Sequence, residues 1–213
     1  PFIKPDFPGL LWRKVLGSGN NGGFGLRPGW DRLGLFCAFD DLASVREWLV
    51  SAREPEQWRM RSKHLVTMVL EPFSSRGTWS GHALQPPDGV QQSSALAPQR
   101  VASLTRASIR LTSAARFWSM SPAAEESLAR ASGCLLSVGL GEAPLLRQAT
   151  FSVWAQQSDM DAYARSGAHL QAIREAYGQG FFSESMFTRF RVLEHQGDWA
   201  ALSSGTARAA ANA

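Results

Sequence analysis

Residues 133–154 read GCLLSVGLGEAPLLRQATFSVW, and this stretch limits the fold more than any other. Two apolar runs, 134–140 and 149–154, flank the tight segment Gly141-Glu142-Ala143-Pro144. Short apolar runs bounded by Gly and Pro read as strand, turn, strand. A helical pattern follows over 159–177, with a break at Ser166-Gly167, and a last strand spans 186–193. Upstream, 101–109 reads as a strand. Thr112 or Ser113 can cap a helix running to about 131, which Pro122 kinks or restarts. The order from 101 onward is therefore β-α-β-β-α-β, the ferredoxin-like arrangement.

The first part of the chain repeats this order with its opening strand and helix missing. Residues 10–16 form a strand candidate containing Trp12. The next strand, 33–39, is apolar on both faces, so both faces are covered. Asp40 or Asp41 can cap a helix in which Leu42, Val45, Trp48 and Leu49 recur at helical spacing. A strand at 65–70, entered by His64, completes β-β-α-β. The expected division is a partial half over 1–84, a linker rich in Pro, Gln and Ser over 85–99, a complete half over 100–199 and a disordered tail over 200–213. The two halves are expected to pack sheet against sheet.

Eight Trp and twelve Phe are many for 213 residues. They suit an aromatic core, or a pocket for a large flat or elongated apolar ligand. The net charge of +4 comes mostly from scattered arginines, with no basic block and no zinc-finger spacing, which argues against nucleic acid as a partner. Scattered cations suit a solvated surface, an anionic membrane surface or a cofactor bearing carboxylates. The glycine-rich run from Gly17 to Gly25 matches neither phosphate-loop nor dinucleotide spacing and reads as a glycine-permitted connection. Cys37 and Cys134 both fall inside strand candidates, as buried free thiols of a reducing compartment do. No run has the length of a membrane-spanning helix, so a cytoplasmic location is expected, with peripheral association at the inner membrane left open.

Several long stretches carry a family resemblance: LGSGNNGGFGLRPGWDRLGLFCAFDD (16–41), SSRGTWSGH (74–82), LTRASIR (104–110), GLGEAPLLRQATFSVW (139–154) and AHLQAIREAYGQGFFSESMFTRFRVLEHQGDW (168–199). On these the chain resembles the spheroidene monooxygenase family of carotenoid biosynthesis. The resemblance implies an α+β fold of two fused ferredoxin-like halves forming a dimeric α+β barrel-type structure. It also implies oxidation of a terminal carbon of an acyclic carotenoid to an alcohol and then a ketone. The implied cofactors are haem b with its iron, O2 and an external electron donor. The implied partners are an apolar small molecule and an electron-donor protein, with a membrane surface and a second copy left open. A haem lyase or dehydratase, or a non-enzymatic barrel binding an apolar ligand, are the alternatives.

Within the stretch from 133 onward, polar side chains are few: Glu142, Arg147, Gln148 and His169. His169 lies in the final helix beside Ala172, Ile173 and Ala176, small and apolar neighbours that let a flat ring approach. The resemblance implies His169 as the axial ligand, with Ile173 at the ring; a surface or capping histidine is the other reading. Arg147 shares strand parity with Ala149, Phe151 and Val153, so it points where apolar residues point and needs a partner. That partner is Glu142, a haem propionate or iron-bound oxygen. Arg147, Glu142 and His82 are the candidate catalytic residues. Arg27, Trp30 and Trp79 lie in the same matched loops, as pocket walls or as packing and turn residues.

Overall fold

The computed structural model describes residues 6–19, 28–89, 99–143, 145–165 and 167–199. Most of the expected N-terminal arm, Gly-rich connection and linker, and the tail, lie outside the described residues. In chain order the elements are β1 (Leu10–Gly19), β2 (Pro28–Phe39), α1 (Leu42–Ser51), α2 (Arg53–Arg61), β3 (Thr67–Gly77), β4 (Val101–Ile109), α3 (Ala114–Ala129), β5 (Cys134–Ala143), β6 (Arg147–Trp154), α4 (Gln157–Ala164), α5 (Gly167–Gly178) and β7 (Phe182–Gln196). The order expected from sequence stands, with α2 added. Asp41 caps α1 by accepting from the Ser44 amide at 2.7 Å. In α2, acids in the first turn and arginines in the last suit the helix dipole, but Pro55, Trp58 and Met60 are too sparse to make an apolar stripe.

The pairing of the strands was not anticipated. The fold is α+β as expected, but the two halves do not form two separate sheets. All seven strands join one antiparallel sheet in the order β2-β1-β5-β6-β4-β7-β3. Its centre, β5-β6-β4-β7, has the ferredoxin-like order of the second half. The strands of the first half add to its two edges. β1 joins β5 through Gly17–Gly141 and Ser18–Leu140, and β3 joins β7 along its whole length. Among the described residues β2 and β3 are the sheet's two edges, with a gap between them.

The sheet curls around the gap. One face of every strand turns inward, as Leu16, Phe36, Leu70, Leu104, Val138, Phe151 and Phe190 do. The outer face of the second half packs on helices, with Val101, Trp154 and Phe73 under Leu128 of α3 and Met160 of α4. Alternation along β4 separates the two faces: Ala102, Leu104 and Arg106 point in, and Val101 points out.

Gly77 closes β3 at φ +85°, and a Cβ there would lie 2.0 Å from the Ser185 carbonyl oxygen. Gly81, at φ +81°, has open space around it. Gly77→Ala is expected to destabilise the protein by more than 2 kcal/mol, roughly the upper range of an ordinary substitution, and Gly81→Ala by about 1 kcal/mol. Denaturant midpoints of the two variants, compared with wild type, check the difference.

Candidate functional site: an apolar cavity with a charged floor

The inward faces enclose a cavity of about 840 Å³. Its walls come from all seven strands, and its outer side is covered by α1, α2 and residues 83–87. Both edge strands, β2 and β3, line it. The lining is chiefly apolar. Ser18 is a buried polar exception; its hydroxyl donates to the Gly139 carbonyl at 2.8 Å.

One step further along the same inward face, Leu104 gives way to Arg106 and Leu140 to Glu142. Arg106 is 2% exposed, on the strand at the middle of the second half. Its Nη2 donates to Glu142 at 3.1 Å, and its Nη1 donates to Glu184 of β7. Lys14 of β1 reaches Glu142 at 3.1 Å, and the Trp79 indole donates to the same carboxylate at 2.9 Å. Glu184 accepts in addition from the Thr78 hydroxyl and the Gly81 amide, each at 2.9 Å. Two cations therefore meet two carboxylates.

The Trp79–His82 segment is a two-residue turn closed by paired backbone hydrogen bonds. Ser80 and Gly81 both have positive φ, as such a turn demands. It delivers Trp79, fully buried, against Trp12 at 5.6 Å and Phe36 at 5.5 Å. Phe36 lines the cavity, so the aromatic cluster forms its floor and the ion network lies beneath. Burial pushes the Glu142 carboxyl up, but donors from Trp79, Lys14 and Arg106 outweigh it and hold it below the usual range. Burial also raises Glu184, yet the Gly81, Thr78, Ser80 and Arg106 donors bring it down to about 2.

The sequence candidates are only partly brought together. Glu142 and His82 sit at the floor, with His82 stacked on Trp12 at 5.8 Å. Glu142 is not in a turn; β5 runs on to Ala143. Arg147 keeps the expected strand parity but is exposed, because it starts β6 opposite Ser108 at the sheet's rim. The cations on Glu142 are Arg106 and Lys14 instead. Alternation of Arg106 with Ala102 and Leu104 was the signal for it. His169 and Ile173 belong to α5, but their side chains, like that of Trp30, lie outside the described residues, and so does Arg27. His64 and His195 lie outside the cavity lining; His195 is exposed and stacks on Trp199. Cys37 and Cys134 are free thiols, as expected, and burial pushes each up to about 12.

Arg106→Met leaves two carboxylates facing each other without their shared cation. It is expected to cost about 3–5 kcal/mol in a denaturant titration. The carboxyls also set an acid limit. Their folded-state values are lowered, so their stabilisation is present above the ordinary value of 4.5 and fades as the pH falls, toward about 2 for Glu184. Stability measured across that window should drop by on the order of 2 kcal/mol through Glu184 alone, and Glu184→Gln should flatten the dependence.

No family model matches the chain. It is 47% identical over 197 residues to the spheroidene monooxygenase of Rubrivivax gelatinosus, covering 90% of this chain and 72% of that one. It is 36% identical over 197 residues to the spheroidene monooxygenase of Rhodobacter capsulatus, covering 91% and 80%. Among solved structures, a provisionally assigned monooxygenase of Fusobacterium nucleatum aligns with TM-score 0.45 and 8% identity, over 91% of this chain and 80% of that one. By its two sequence relatives, over nine-tenths of its length, the chain belongs to the spheroidene monooxygenase family.

Proposed function

We propose that this protein is a monooxygenase that oxidises a methylene carbon at the terminal part of an acyclic, spheroidene-like carotenoid, first to an alcohol and then to a ketone. The cavity carries this reading. It is large, chiefly apolar and lined by residues of all seven strands, which suits an extended polyene. Burying the polyene there releases apolar surface from water, at about 25 cal/mol per Å². Each oxidation consumes one O2, two electrons and two protons; the first releases one water and the second, through loss of water from a geminal diol, releases two, so an external electron donor is required.

The residues around the cavity divide the work. Phe36, Leu104, Val138 and Phe151 exclude water and hold the chain of the substrate. Ser18 spends its proton on Gly139, so its oxygen retains acceptor capacity for a hydroxyl formed on the substrate. Glu142, held ionised, is no proton donor near neutral pH; it positions Trp79, and with it the floor.

The described lining of the cavity does not fit haem. Among the described residues no histidine contributes to it, none of α3, α4 or α5 lines it, and the Cys37 thiol at about 12 is a poor thiolate ligand. Haem is implied by the family resemblance, with His169 on α5 as the residue that would hold it. When bound it would supply oxygen activation. The alternative reading is a barrel that only binds an apolar molecule, for which the apolar lining speaks.

Two measurements test these parts separately. Val138→Trp fills the cavity from its wall, and should lower kcat/KM for a long carotenoid at least tenfold while circular dichroism stays native. The Soret absorbance per protein reports haem, and His169→Ala should lower it with the fold intact. Wild-type protein that takes up no haem would leave the binding reading in place.

A further inference from the structure

We propose that the outer surface of the α1–α2 pair docks this protein on an anionic lipid surface, which delivers the apolar ligand to the cavity beneath. The inference rests on reading that cavity as the site of an apolar ligand. The two helices form its roof: Trp48 and Leu49 of α1 and Trp58 of α2 face inward and line it. An ion pair fixes the roof at each side of the gap. Glu54 of α2 meets Arg13 of β1 at 2.5 Å, and Arg46 of α1 meets Glu194 of β7 at 2.5 Å.

The outward side of the roof is unlike an ordinary solvated helix face. Val50 is 84% exposed and Met60 is 72% exposed. Arg53, Arg61 and Lys63 are exposed in the same segment, while Arg59 lines the cavity and donates to the Leu49 carbonyl at 3.1 Å. Against these three outer cations stand two acids, Glu54 and Glu56, and Glu54 already serves Arg13. Exposed Leu33 and Leu42 also line the cavity, so apolar surface continues to its opening. Apolar side chains flanked by cations match an anionic lipid surface: the first enter the headgroup layer, the second meet the phosphates. No helix among the described residues is long and apolar enough to cross a membrane, so the contact is a surface one.

The test uses the full chain and vesicles of phosphatidylcholine, with or without phosphatidylglycerol, in co-sedimentation. Wild-type protein should bind the anionic vesicles, and bind them less as salt is raised. The double variant Arg61→Gln, Lys63→Gln should lower the partition coefficient about thirtyfold, and Val50→Ser, Met60→Ser about tenfold. None of the four lines the cavity, so both variants should keep native circular dichroism and turn over detergent-dispersed carotenoid at the wild-type rate. Wild-type protein that ignores anionic vesicles overturns the proposal, and so do variants that bind as wild type does. A dimer that separates in the Val50→Ser, Met60→Ser variant, without vesicle binding, assigns the face to a second copy and overturns it as well. Vesicle binding without carotenoid turnover sinks the substrate reading and leaves the docking standing; turnover in detergent without vesicle binding does the reverse.

Discussion

A single buried guanidinium ties the structure together. Arg106 is covered on all sides, and attraction to a carboxylate repays that burial only if the carboxylate is itself well satisfied. Both are. Glu142 takes Lys14 and Trp79 in addition, and Glu184 takes Thr78 and Gly81. The Arg106 Nε alone has no partner among the described residues, a residual cost. Such a network adds little net stability over an apolar plug of the same volume. Its effect is geometric. It links β1, β4, β5, β7 and the 78–82 turn in one register, and so fixes Trp79 under Phe36. The depth of the cavity follows from that contact.

The cavity lies where the two edges of the sheet face one another. In a small closed barrel the inward side chains fill the interior. Here the described strands leave β2 and β3 unpaired with each other, and both line the cavity. Open strand edges beside an apolar interior invite unwanted pairing with other chains. The α1–α2 pair and residues 83–87 cover that opening from outside, while α1 and α2 also pack on the outer side of β1 and β2 through Trp48 on Phe39 and Glu54 on Arg13. The apolar pattern on both sides of residues 33–39 follows: Phe36 joins the interior cluster, Phe39 packs on Trp48 of α1, and residues of both sides line the cavity at this edge.

Periodicity made the elements legible, because alternation and helical spacing are local properties. It gave each strand two faces but no neighbour, since parity fixes which side a residue takes and not which strand lies beside it. Hence β3 and β1 landed on opposite edges of the second half's sheet, where separate sheets were expected. Strand ends are also set by pairing. The polar run Ser74-Ser75-Arg76 has no apolar alternation, yet it belongs to β3, where the Ser75 hydroxyl bonds that of Thr188 at 2.8 Å. Arg147 and Arg106 both alternate with apolar residues. What separates them is distance from the rim, which depends on pairing and is therefore invisible along the chain.

The two ends of the cavity are held by forces of different size. At the floor, Arg106, Glu142, Trp79 and Leu16 come from four of the stretches that carry the family resemblance, and they meet out of water. At the roof, the Arg46–Glu194 pair is largely exposed, at 60% and 45%, and the Arg13–Glu54 pair is partly so. Exposed pairs contribute about 0–1 kcal/mol each and weaken with salt, whereas separating a buried pair costs several times more. Any opening that admits a long ligand therefore costs least along the roof. The floor, where Trp79 and Phe36 set the inner boundary, keeps its shape while the roof yields. A rigid inner end and a weakly pinned outer side suit a ligand that enters lengthwise and must stop at a fixed depth.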